Sequence, residues 1–195
     1  MKTEPLADRV NKIQKIIRNP DFLKNKGLGN EVGYYIFDYD PKDELLVRNH
    51  VKALRERFNT DQNLPDIHEF DLYEIIIELL QSRGYLTKAF KMEEISGSEQ
   101  AYKAVRTFLR LNDDQEENLI INHIIEHAGK DSIVFITGVG KAYPLVRSHT
   151  ILNNLHQRLC DVPVVLFFPG EYTGQKLRLF NTITDDNYYR AFKLC

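Results

Sequence analysis

A chain of 195 residues with 43% hydrophobic and 28% charged residues sits close to average globular usage, which excludes a disordered or fibrous molecule and fits one domain spanning residues 1–195. The net charge of -2 and pI near 6.3 lack the basic footprint of a protein that holds a phosphate backbone mainly by charge. No apolar run approaches the roughly 18 to 20 residues needed to span a bilayer, and the polar start MKTEPLADR has no secretory core, so a soluble cytoplasmic protein is expected. Cys160 and Cys195 follow no metal-like or redox-like spacing and are expected to be reduced and incidental.

In chain order, Leu6, Val10, Ile13 and Ile17 recur at helical spacing and predict an amphipathic helix that stops near Asn19-Pro20. The glycine-rich stretch 27–33 reads as a loop, and YYIFDY at 34–39 as a strand. Pro41 sits where a helix starts, with Leu45, Val51, Leu54 and Phe58 as its apolar stripe. A second strand–helix unit follows, with a strand at 67–70, Asp71 as cap, a helix at 72–80 and Gly84 as its stop. Residues 86–128 show only helical periodicity, broken by Gly97 and NDDQEEN, and predict a helical insertion.

SIVFIT at 132–137 and VPVVLFF at 162–168 are the most hydrophobic runs, as expected of parallel strands covered on both faces at the centre of a sheet. Residues 148–159 are long enough for the crossover helix between them. Residues 176–180 and 188–194 add short edge strands. The fold class is therefore α/β, a mostly parallel central sheet of about five strands flanked by helices, with the helical insertion in the middle.

Thr137-Gly138-Val139-Gly140-Lys141 directly follows a buried strand and invites a nucleotide reading. A working P-loop needs a glycine where Phe135 stands and a Ser or Thr hydroxyl where Ala142 stands, and Tyr143-Pro144 leaves little room for its helix. What remains is a loop at the carboxyl end of a central strand, where open α/β sheets place their binding sites. Residues 138–158 contain no Asp or Glu but carry Lys141, Arg147 and Arg158. With Ser148 as a helix cap and Arg147 beside it, the loop edge suits a phosphate or a partner's carboxylate; the competing reading is that these residues only cap the helix and close the loop.

His123-Ile-Ile-Glu126-His127 matches the inverted zinc-protease pattern, but a charged helix face generates that pattern readily and a third ligand is needed. Asp38 and Asp40 share one face of a strand as a divalent-metal pair would, with Glu171 reaching the same edge if the sheet is parallel; Asp40 before Pro41 is equally a cap. Ser148 and His149, adjacent on a helix, diverge by about 100° and make no nucleophile–base pair. DDNYYR at 185–190 has the composition of an interface anchor. No catalytic residue, metal or cofactor follows from these motifs. The candidates for partner or ligand binding are Lys141, Tyr143, Arg147, Ser148, Glu171, Tyr172, Tyr188, Tyr189 and Arg190.

Four stretches in order, GLGNEVGYYIFDYDP at 27–41, FITGVGKAYPLVRSHTILNNL at 135–155, VPVVLFFPGEYTGQKLRLF at 162–180 and DDNYYRAFKL at 185–194, together resemble the BrxB family of bacterial BREX anti-phage defence systems. The resemblance implies a small non-catalytic subunit encoded beside a large BrxC-like ATPase, a PglX-like DNA adenine methyltransferase and PglZ, an alkaline-phosphatase-like protein. It further implies an adaptor that binds the PglZ-like protein and joins it to the other components. The alternative carried by the residues alone is a nucleotide- or nucleic-acid-binding protein using the degenerate loop at 138–141.

Overall fold

The computed structural model describes residues 4–24, 33–111, 117–185 and 191–195. Helix α1 (Leu6–Ile17) buries Val10, Ile13 and Ile17 at the expected spacing and gives way at Pro20 to the short α2 (Pro20–Leu23), capped by the Asn19 side chain. Most of the expected loop at 27–33 lies outside the described residues. Strand β1 (Tyr34–Tyr39) leads through a 3-10 turn at Pro41–Asp43, whose Lys42 N–H donates to Asp40, into α3 (Glu44–Thr60).

The buried stripe of α3 is Val47, Val51, Leu54 and Phe58, and the predicted Leu45 is 71% exposed. Leu45 stands six residues before Val51, about 120° round the helix from the stripe, whereas Val47 stands one turn before it. Strand β2 (Ile67–Asp71) runs straight into α4 (Leu72–Ser82), with the Asp71 carboxylate accepting from the N–H groups of Tyr73 and Glu74. The insertion is helical as expected: α5 (Leu86–Ser96), α6 (Ser98–Phe108) and α7 (Leu119–His127), the last capped by buried Asn118. Most of the NDDQEEN stretch lies outside the described residues.

Strand β3 (Ile133–Thr137) is followed by one helical turn, α8 (Val139–Ala142), and the crossover helix α9 (Ser148–Arg158). Arg147, not Ser148, holds the cap position of α9. Its backbone is still extended and its carbonyl accepts from Thr150 N–H, so Ser148 is already the first helical residue. Strands β4 (Val164–Tyr172), β5 (Leu177–Leu179), β6 (Ile183–Asp185) and β7 (Phe192–Lys193) complete the chain.

The parallel part of the sheet has the order β2-β3-β4-β1-β7, which puts β4 in the middle between β3 and β1. Beyond Pro169 the long β4 leaves this parallel array and pairs antiparallel with β5, which pairs in turn with β6. The expected edge strand at 176–180 is thus a hairpin arm off the central strand, and β6 was not foreseen. Alternate strand residues feed two apolar layers. Ile36, Val134, Ile136, Val164, Leu166 and Phe168 face α4, α7 and α9, and Phe37, Ile133, Phe135, Val165 and Phe167 face α1 and α3.

Asp38 interrupts that pattern. It is 5% exposed at the end of β1. Arg9 of α1 donates to its Oδ1 at 2.7 Å, while Lys193 of β7 and the N–H of Tyr172 on β4 donate to its Oδ2 at 2.8 and 3.0 Å. Arg9 also donates to the main-chain oxygen of Cys195 at 2.8 Å and lies 4.8 Å above the Phe37 ring. A half-buried guanidinium and an ammonium therefore depend on one carboxylate.

Replacing Asp38 by Asn keeps the shape and removes the charge, which is expected to lower stability by roughly 3 kcal/mol in urea unfolding. Asp40→Asn, at an exposed cap that asparagine serves equally well, should leave the urea midpoint unchanged.

Candidate functional site

The loop after β3 was the strongest motif in the sequence, and its glycines answer to the protein's own side chains. Gly138 has φ +71, and a methyl group there would overlap the Asp71 carboxylate that caps α4. A side chain at Gly140 would stand 2.8 Å from the ring of Phe180 and 3.3 Å from Pro169. Lys141 Nζ pairs with Asp71 Oδ2 at 2.6 Å, lies 3.4 Å from Glu74 Oε1 and sits 5.6 Å from the Tyr73 ring centre. The loop is thus a packing device that locks the ends of β2 and β3 together, and the lysine that a phosphate would need already neutralises a carboxylate.

Downstream, the loop edge has different chemistry. Val139, Tyr143, Val146, Phe168, Leu177, Leu179 and Ile183 enclose a cavity of about 80 Å³ with Arg147 and Ser148 at its polar side. Ser148 is buried, 9% exposed, while Arg147 is exposed and has no ion-paired carboxylate among the described residues. Tyr143 packs partly against the core from the same loop. The arrangement couples a small apolar hole to a free guanidinium at the start of a helix, which is chemistry for holding an apolar group next to a negative one.

The other sequence candidates are dispersed. Tyr172 is 2% exposed, its hydroxyl donating to the carbonyl of Ala191 at 2.6 Å, so its ring is core and offers nothing to a partner. Glu171 is exposed on the hairpin and lies 3.6 Å from Arg178 of β5, its cross-strand neighbour. Tyr188, Tyr189 and Arg190 lie outside the described residues. Asp38, Asp40 and Glu171 do not converge: Asp38 turns inwards, Asp40 caps the 3-10 turn and pairs with Lys42, and Glu171 is carried off by the hairpin. Among the described residues, no group of three His, Cys, Asp or Glu side chains is placed to hold a metal.

His123 and His127 stack at 4.4 Å between ring centres, and His127 Nδ1 makes a hydrogen bond with the carbonyl of His123 at 2.8 Å. Burial, with a smaller contribution from His127, holds the His123 imidazole below its ordinary pKa. The pair lines an open groove of about 690 Å³ along β2, together with Glu69, Glu74 and Glu78. Sequence reasoning missed this groove because it joins residues from α3, β2, α4 and α7 that no spacing connects. It also missed Phe90 and Ile95 on α5, which are 60% and 82% exposed in the insertion.

The family model described as "BREX protein BrxB" matches residues 68–194. The chain is similar to a BREX protein BrxB of Bacillus cereus (strain H3081.97), at 50% identity over 189 residues that cover 97% of this chain and 97% of that protein. It is also similar to a BREX protein BrxB of Escherichia coli O9:H4 (strain HS), at 35% identity over 189 residues that cover 97% of this chain and 91% of that protein. No solved structure matches the chain. No described helix is long and apolar enough to cross a membrane.

Gly138→Ala combines a left-handed backbone with the Asp71 overlap and is expected to lower stability by about 3 kcal/mol. Gly84→Ala has φ +65 but open space around it and should cost only about 1 kcal/mol, so paired urea titrations separate crowding from backbone strain.

Proposed function

The chain belongs to the BrxB family of BREX proteins, and from that membership we propose that it is a non-catalytic adaptor, folded as one domain, which docks on a PglZ-like protein and helps assemble the defence complex. As a BREX component it works with other proteins of its system. The observation that carries the adaptor reading is the exposed Arg147 guanidinium, with no ion-paired carboxylate among the described residues, beside an apolar cavity. Arginine anchors next to small apolar pockets are the composition of interface hot spots.

Two further features support it. The groups that a phosphoryl-transfer or metal-dependent enzyme would aim at substrate are consumed internally, Lys141 by Asp71 and Asp38 by Arg9 and Lys193. The exposed Phe90 and Ile95 add apolar surface that a partner protein would cover. On this reading the PglZ-like protein supplies a carboxylate to Arg147 and an apolar side chain to the cavity. The BrxC-like ATPase and PglX-like methyltransferase join through the assembled complex.

The test is co-purification from cells that express the tagged chain with its BREX neighbours. Arg147→Glu is expected to reduce recovery of the PglZ-like protein about tenfold while leaving the circular dichroism spectrum unchanged. Full recovery by that variant would remove the loop edge from the interface. Nucleotide or phosphoester turnover by the purified chain, abolished by one substitution, would end the non-catalytic reading.

A further inference from the structure

Strand β2 closes one side of the parallel sheet, and its main-chain groups divide by parity. Ile133 N–H donates to the Asp66 carbonyl at 2.9 Å. In a parallel ladder residues 66, 68 and 70 therefore turn their N–H and C=O groups to β3, and residues 67, 69 and 71 turn theirs outwards. At Ile67 the outward pair is met: the Asn59 carboxamide accepts from its N–H at 2.8 Å and donates to its carbonyl at 3.1 Å. That is the pair of bonds an adjoining strand would make. At Glu69, two residues on and itself a lining residue of the groove, the outward N–H and C=O have no partner among the described residues.

The groove has a charge. Glu69, Asp71, Glu74 and Glu78 line it against one guanidinium, Arg55. Arg55 pairs with Glu69 at 3.0 Å and Lys141 with Asp71 at 2.6 Å, but Glu74 is 69% exposed with only the shared Lys141 at 3.4 Å, and Glu78 has no Lys or Arg in ion-pair range among the described residues. Glu74 and Glu78 stand one helical turn apart, a rise of about 6 Å. Alternate side chains of an extended strand repeat at about 6.6 Å on one face. The two spacings match closely enough for successive same-face cations to meet the two carboxylates.

We propose that the β2 edge binds an extended, lysine- or arginine-rich segment of a partner protein, which pairs its main chain with Glu69 and turns alternate cationic side chains to Glu74 and Glu78. Strand addition supplies affinity through main-chain bonds, and the alternate side chains supply selection. An acidic segment or a nucleic-acid backbone is repelled by the same carboxylates. The surface shares no lining residue with the Arg147 cavity, so it goes beyond the docking reading and stands without it.

The probe is a fluorescein-labelled decapeptide of alternating lysine and valine, titrated against the full chain at low salt by anisotropy, with amide hydrogen exchange followed at Glu69. Saturating peptide is expected to slow exchange at Glu69 at least tenfold, and Glu74→Lys with Glu78→Lys to weaken binding at least tenfold. Glu78→Lys alone, at an exposed position, gives an intermediate loss and guards against misfolding of the double variant. The peptide with glutamate in place of lysine should not bind, and Arg147→Glu should bind the lysine peptide as the parent does, which separates this surface from the loop edge. The proposal is overturned if the lysine peptide fails to bind, if both peptides bind alike, or if Glu69 exchange is unchanged at saturation. It is also overturned if the free chain sediments as a dimer with Glu69 already protected, because the occupant is then a second copy.

Discussion

Taking a carboxylate out of water costs several kcal/mol unless cations and hydrogen-bond donors replace the lost hydration, and Asp38 meets that demand with groups from distant parts of the chain. Arg9 comes from the first helix, Lys193 from the last strand and the Tyr172 N–H from the point where β4 passes into its hairpin. Each of these elements is weak by itself. The β7 pairing spans two residues, and α1 touches the sheet along one stripe. The carboxylate fixes both relative to β1 and, through Tyr172, fixes the direction in which β4 continues. That direction decides where β5 and β6 lie, and Leu177, Leu179 and Ile183 on them form one wall of the Arg147 cavity. The candidate site is therefore shaped by an ion cluster that does not itself line the cavity, with Asp38 and Tyr172 paired in the sheet to the lining residues Phe168 and Leu177.

The carboxyl edge of the sheet is where an α/β protein ordinarily receives its ligand, and here most of it is occupied from within. Asp71 does two things at once: it caps α4 and binds Lys141. Gly138 exists in its left-handed form so that this carboxylate can approach the backbone, and Gly140 leaves room for Phe180. A glycine-rich turn after a buried strand is thus compatible with a purely structural use whenever the groups crowding it are side chains. What is left open is a hollow of about 200 Å³ bordered by Pro41, Arg48, Lys141 and Pro169, and the stretch beyond Tyr143, where the chain turns into α9 with its cap position held by an arginine.

The parallel strands and most helices were legible because each has its own local signal: aromatic and β-branched runs for β1, β3 and β4, and repeats of three and four for α1 and α4. Leu45 shows where periodicity misleads, since a six-residue step from Val51 looks like part of a stripe and lands on solvent. Tyr172 shows a second limit. An aromatic after a turn-like Pro-Gly reads as surface, yet β4 continues as a strand through that dipeptide and carries the ring back into the core. Of the cavity lining, Arg147, Tyr143 and Ser148 are residues that charge and position had already singled out. The β2 groove was not, because a free strand edge is a property of what fails to pair, and no residue type announces it.

The proposed adaptor would need partners that do not compete for one surface, and the Arg147 cavity and the β2 groove differ in sign. The Arg147 edge presents a guanidinium to a negative group beside an apolar hole, and the β2 edge presents carboxylates beside unpaired main chain. Specificity is a difference of affinities, and like-charge contact is the simplest way to enlarge it. A segment rich in lysine would be favoured at one edge and repelled at the other, so on the proposed readings orientation follows from charge. Between them run β3, buried along its whole length, and β4, buried except at Glu171, packed as a protein interior is. On the proposed adaptor reading, assembly asks only that each partner bring the complementary charge.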